Sequence, residues 1–172
     1  MPVLILGLDP GLRHTGWGVV EAQDNRLRFV ACGAVHSDAA DDLATRLGGL
    51  YRGLGTVIDG HLPREAAVEE TVVNRNPLSS LKLGHARGVV LLAASHAGLA
   101  VHEYAAKQVK RAVTGTGNAA KEQVQMMVRR LLPGAMIGSP DAADALAVAI
   151  CHAHHAATNR RWQAAAQTEL GR

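Results

Sequence analysis

Four carboxylates stand out by type and position: Asp9, Glu69, Asp141 and Asp144. Asp9 follows a continuous apolar run at residues 3–8 and opens the turn Asp9-Pro10-Gly11. Glu69 closes a second short apolar run, and Asp141 and Asp144 stand three residues apart at the start of a helical pattern. That spacing puts both on one helix face, in a first turn whose dipole favours anions. Carboxylates gathered at one point repel, and their pKa values rise unless a cation joins them. Hard oxygen ligands select Mg²⁺ or Mn²⁺. A pair of such ions, ~4 Å apart, activates a water and stabilises a leaving 3′ oxygen. The chemistry expected is metal-assisted hydrolysis of phosphodiester bonds in nucleic acid. Singly, each acid also fits a turn, a solvated strand end or a helix start; the combination carries the reading.

To converge, these acids need a particular framework. The branched run at 3–8 reads as a strand buried on both faces. Residues 15–21 and 27–35 form two more strands, joined by a turn at Asp24-Asn25, and three strands with short links make an antiparallel meander. The period then changes. Leu43, Leu47, Leu50, Leu54, Val57 and Ile58 recur every three or four residues, as on an amphipathic helix, with Asp41 or Asp42 available as its cap. A fourth strand at 65–69, a helix at 78–97, a fifth strand at 100–104 and helices at 105–112, 119–132 and 141–155 follow, Pro140 suiting the first turn of the last. Strand–helix–strand units after a meander imply parallel pairing in a mixed five-stranded sheet, helices on both faces. Asp9 and Glu69 then stand at carboxyl ends of strands, where α/β folds place their sites.

The chain has 172 residues, the size of one domain; we assign it to residues 1–157, with a polar, Ala-rich and poorly ordered tail at 158–172. Hydrophobic residues make up 48% and aromatics only 3%, so the core is aliphatic. A net charge of +3 permits a nucleic-acid partner without demanding one. Two distant cysteines, Cys32 and Cys151, argue against a disulfide framework. No signal-peptide pattern occurs, and no apolar run reaches the ~18 residues of a membrane span. A soluble, cytoplasmic protein is expected.

The motifs I-L-G-L-D-P-G at 5–11, T-G-W-G at 15–18, A-V-E-E at 67–70, L-K-L-G-H-A-R-G-V at 81–89, E-Y-A-A-K-Q-V-K at 103–110, G-T-G-N-A-A-K-E-Q-V at 115–124 and D-A-A-D-A-L-A-V-A-I at 141–150 together resemble the RuvC family of Holliday junction resolvases, over roughly residues 3–155. The resemblance implies a ribonuclease H-like fold and cleavage of four-way DNA junctions by paired symmetric nicks, in homologous recombination and repair. It implies that Asp9, Glu69, Asp141 and Asp144 bind metal and that Lys110 and Lys121 stand near the cleaved phosphate, the six forming the catalytic set. It also implies a homodimer, a preference for a short thymine-containing sequence, and action beside the RuvA–RuvB branch-migration machine. Two symmetric cuts suit a two-fold axis. The dimer contact falls in the segment 83–97, whose Gly84, Ala86, Gly88, Ala93 and Ala94 permit close helix packing. One position departs: family members carry an aromatic residue three positions after the strand-four glutamate, where this chain has Val72. Valine cannot stack on a base, a contact of ~1–3 kcal/mol.

The expected DNA contacts are Val72, Asn74, Arg75 and Asn76 in the loop at 71–79, and Lys82, Arg87, Lys107 and Arg111 along a groove for phosphates. Arg13 and His14, next to Asp9, either approach phosphate or are exposed turn residues. His152, His154 and His155 read as histidines at a helix end, favoured by its dipole, rather than as zinc ligands. Gly115-Thr116-Gly117 reads as a helix connection, since no G-K-[ST] follows. Three rivals remain at this stage: a phosphotransferase of the actin and sugar-kinase type, which needs two such domains; a non-catalytic junction-binding module; and a nuclease acting on RNA–DNA hybrid.

Overall fold

The computed structural model describes residues 1–70 and 76–170, with side chains through Thr158. The elements run in the expected order: β1 (Val3–Asp9), β2 (His14–Gln23), β3 (Arg26–His36), α1 (Leu43–His61), β4 (Glu65–Glu69), α2 (Pro77–His96), β5 (Ala100–Tyr104), α3 (Ala106–Thr114), α4 (Lys121–Leu131) and α5 (Pro140–Leu170). They form one five-stranded sheet ordered β3-β2-β1-β4-β5. β1–β2 and β2–β3 pair antiparallel, β1–β4 and β4–β5 parallel. The meander and the two parallel crossovers are therefore both present, and this mixed sheet is that of a ribonuclease H-like fold.

Local chemistry explains most boundaries. Asp24 takes a left-handed φ of 54° in the β2–β3 turn, a conformation that Asp tolerates better than most residues. Of the two candidate caps for α1, it is Asp42 whose side chain accepts from the Thr45 N–H at 2.9 Å. Asn76 caps α2, accepting from Leu78 and Ser79, with Pro77 next at the position that needs no N–H. Ser139 Oγ accepts from the Ala142 N–H at 3.2 Å and so caps α5 just before Pro140.

Helices cover both faces. α3, α4 and α5 bury Val109, Val113, Val124, Val128, Leu146 and Ile150 against Ile5, Val20 and Ala67. α1 and α2 bury Leu54, Ile58, Val90 and Ala93 against Leu6, Leu8, Val19 and Val68. Side chains alternate along a strand, so parity assigns the faces. Asp9 shares the α5 face with Ile5, and Glu69 shares it with Ala67.

One boundary differs from the sequence reading: α5 continues as helical backbone to Leu170 rather than ending at His155. Residues 158–170, read as a tail, are thus helical in backbone. His152, His154 and His155 consequently lie within the helix, where no terminal dipole acts on them.

Candidate active site

Asp9 ends β1 and Glu69 ends β4. The parallel register pairs Gly7 with Ala67 and Leu8 with Val68, so the next step of the ladder sets the two acids side by side on the same face. α5 lies across that face with its first turns over them. It comes close because the strands beneath lack side chains: a Cβ on Gly7 would stand 2.1 Å from the Ala145 carbonyl oxygen, and one on Gly16 2.1 Å from that of Asp141. Gly16 is the register partner of Asp9. Two glycines thus seat the helix that carries Asp141 and Asp144. The turn after Asp9 is closed by Thr15, fully buried, whose hydroxyl donates to the Gly11 carbonyl at 2.7 Å.

Asp9, Glu69, Asp144, Lys110 and Lys121 line one cleft of about 200 Å³, with Ala106, Val109, Val124 and Ala147 as its apolar walls. Lys110 comes from α3 and Lys121 from the first position of α4; Gly115, at φ 85°, ends α3 between them. Asp141 sits a turn behind, its carbonyl on Gly16, yet its charge reaches Asp9.

The electrostatics are those of crowded anions. Burial, then the charges of Glu69, Asp144 and Asp141, push the Asp9 carboxyl up from 3.8 to about 7, with Lys121 opposing. Burial and Asp144 raise Glu69 against the pull of Lys110 and Lys121. Lys121 Nζ donates to Asp144 Oδ2 at 2.6 Å, which holds its ammonium above its ordinary value. Two cations on the rim do not neutralise four acids. A set of oxygen donors that cannot all ionise unaided fits hard divalent cations.

The other expected DNA contacts divide. Val72, Asn74 and Arg75 lie outside the described residues. Asn76 directs its side-chain oxygen to the α2 cap. Arg87 is ion-paired with Glu103 of β5 rather than lining the cleft. Lys82 and Lys107 are exposed, and Arg111 lines a separate groove with Gln108, His154 and His155. His14 meets His36, Nδ1 to Nδ1, at 2.6 Å. Sequence reasoning passed over the seating role of Gly7 and Gly16; the legible signal was a glycine two positions before Asp9 and the alternating Gly16 and Gly18 of the neighbouring strand.

Fold and site together define a ribonuclease H-like nuclease, with acidic residues and lysines gathered where β1, β4 and α5 meet. The family model for crossover junction endodeoxyribonuclease RuvC matches residues 5–152. Among curated relatives, the crossover junction endodeoxyribonuclease RuvC of Paramagnetospirillum magneticum is 62% identical over 157 residues, covering 91% of this chain and 95% of its own. That of Acidiphilium cryptum is 61% identical over 161 residues, covering 94% and 96%. A solved structure of T. thermophilus RuvC in complex with Holliday junction substrate superposes with a TM-score of 0.84 at 35% identity, covering 91% of this chain and 96% of that one. The yeast mitochondrial resolvase Ydc2 shares the fold, with a TM-score of 0.63 at 10% identity. The chain belongs to the RuvC family of crossover junction endodeoxyribonucleases, and it is a metal-dependent endodeoxyribonuclease.

Proposed function

We propose that this chain resolves four-way DNA junctions in recombination and repair by paired symmetric nicks, with Asp9, Glu69, Asp141 and Asp144 holding two Mg²⁺ ions, or Mn²⁺ in their place. The observation that carries this reading is the convergence of Asp9, Glu69 and Asp144 with Lys110 and Lys121 in one cleft. Bound cations there supply an acidified water and charge to offset the phosphate and the leaving oxygen. Asp9, its carboxyl pushed up to about 7 by burial and by its acidic neighbours, would be held ionised by cations in the cleft. Lys121 pairs with Asp144 until a phosphate enters, then turns its ammonium to a phosphate oxygen. Lys110, lining the same cleft, neutralises further charge on the crowded phosphorus.

Features of the rest of the surface support the partners of this reading. On α2, Leu78, Leu81 and Leu92 are 69%, 58% and 58% exposed, and added methyls at Gly84 and Gly88 would meet nothing. Ala86, Ala93 and Ala94, expected at the dimer contact, are instead buried within the chain's own fold. The exposed leucine and glycine side of α2 supports a homodimer that pairs through this helix. Lys82, Lys107 and Arg111 add phosphate contacts, and Val72, Asn74, Arg75 and Asn76 meet the DNA at the crossover. The protein works in the cytoplasm beside RuvA–RuvB; no helix among the described residues is long and apolar enough to cross a membrane.

The test is incubation with a four-way junction, plain duplex and RNA–DNA hybrid, with Mg²⁺, Mn²⁺ or chelator. Paired nicks in the junction alone, lost with chelator, support the reading. Cutting of the hybrid changes the substrate, and binding without cutting removes the catalytic assignment.

A further inference from the structure

The strand–helix pair that builds the acidic cleft carries a second group of ligating side chains at its other end. Glu65, Ala67 and Glu69 share one face of β4 by parity, and the β4–β5 register sets His102 beside Ala67 and Tyr104 beside Glu69. From Asp144 to His152 helix α5 advances ~12 Å. From Glu69 back to Glu65 strand β4 spans ~13 Å. The two elements run antiparallel, so His152 meets Glu65 as Asp144 meets the cleft of Glu69.

His152 is 3% exposed and engaged at both nitrogens: Nε2 faces Glu65 Oε2 at 2.6 Å and Nδ1 faces Tyr104 Oη at 2.7 Å. The His102 ring stacks on it at 4.4 Å. One ligating atom from each of Glu65, His102 and His152 lies within 4.8 Å of the other two. We propose that these three side chains bind one divalent transition-metal ion, best matched by Zn²⁺, which clamps α5 to β4 and β5 apart from the acidic cleft.

The donor set decides the ion. Two imidazoles and one carboxylate suit Zn²⁺, whereas Mg²⁺ prefers oxygen and water. Zinc bonds of ~2.0–2.2 Å need donors ~3.3 Å apart in a tetrahedron. Glu65 and His152 open slightly to reach that spacing, and the exposed His102 closes by rotation. Solvent on the His102 side fills the fourth position. A carboxylate only accepts, so without metal the neutral His152 donates from Nε2 to Glu65 and accepts from Tyr104. With metal on Nε2, the ring proton sits on Nδ1 and donates to Tyr104 Oη; the imidazole stays neutral. Outer partners of this kind orient metal-bound histidines. His154 and His155 are left out: one points at the Ala112 carbonyl, the other stacks on Tyr104.

The experiment titrates Zn²⁺ into the untagged full chain by calorimetry with Mg²⁺ in large excess, and uses Co²⁺ absorption to read the ligand field. One tight equivalent, a tetrahedral Co²⁺ spectrum and a melting temperature raised by several degrees are expected. His102→Ala, at an exposed position, and Glu65→Gln each weaken Zn²⁺ by more than the ~10–100-fold that loss of an outer partner costs and remove the thermal shift. Asp9→Asn and His14→Ala leave binding intact. No uptake, uptake that persists in His102→Ala, or uptake lost with Asp9→Asn or His14→Ala overturns the proposal, leaving Glu65, His152 and Tyr104 as a hydrogen-bonded strut only.

Discussion

Replacing Gly16 by alanine tests whether the closeness of α5 to the sheet makes the site. The new Cβ would stand 2.1 Å from the Asp141 carbonyl oxygen, 2.6 Å from its carbon and 3.1 Å from its Cβ. Ordinary contact begins at 3.4 Å, so the first turn of α5 must lift by more than 1 Å. Backbone rather than a flexible side chain is what must move. Overpacking of this kind costs about 1–3 kcal/mol, a fall in Tm of about 2–12 °C for a chain of this size. The larger effect is on chemistry, because a displacement of about 1 Å in a positioned group costs about 100-fold in rate. Single-turnover nicking of a four-way junction at saturating Mg²⁺ should fall by that factor, while junction affinity changes only a few-fold because the cleft lysines sit on α3 and α4. Gly60→Ala is the control: nothing lies within 4 Å of its added methyl, and alanine in a helix should raise Tm. A Gly16→Ala protein that melts and nicks like wild type would refute the idea that this glycine seats the catalytic helix.

Four further outcomes are expected. Asp9→Asn should abolish nicking and retain junction binding; full cleavage by that variant would remove Asp9 from the mechanism. The same variant tests the raised carboxyl. A folded-state value of about 7 against 3.8 unfolded means that the folded chain keeps a proton the unfolded chain loses, so stability falls as pH rises from about 4 to 7. In chelator, Asp9→Asn should therefore melt above wild type at pH 8, by about 2–4 kcal/mol of relieved penalty, with the gap closing at pH 4 and shrinking when Mg²⁺ is added. Lys121→Met should slow single-turnover nicking by about 100-fold; an unchanged rate would leave the Lys121–Asp144 pair purely structural. Lys107→Ala should lower the slope of junction binding against salt by about 1, whereas Arg87→Ala, already paired with Glu103, should leave it unchanged.

Much of this architecture is legible along the chain because its signals are local. The buried run of β1, the Asp24-Asn25 turn, the period of α1 and the Pro140 start of α5 each declare themselves within a dozen residues. Asp9 and Glu69 at strand ends and Asp141 and Asp144 on one helix face follow from the same patterns, and the motif order identifies the family. Tertiary structure alone decided what meets what. Only the β1–β4 register sets Asp9 beside Glu69, and only the bare surface at Gly7 and Gly16 lets α5 descend onto them. Arg87 turned to Glu103 and Asn76 to its helix cap, choices made by neighbours distant in sequence or by a backbone that needed a partner. His152, grouped along the chain with His154 and His155, stands in space with Glu65, His102 and Tyr104. Periodicity tells a residue which face it occupies; the partner across that face comes from another element, and no local pattern carries its identity.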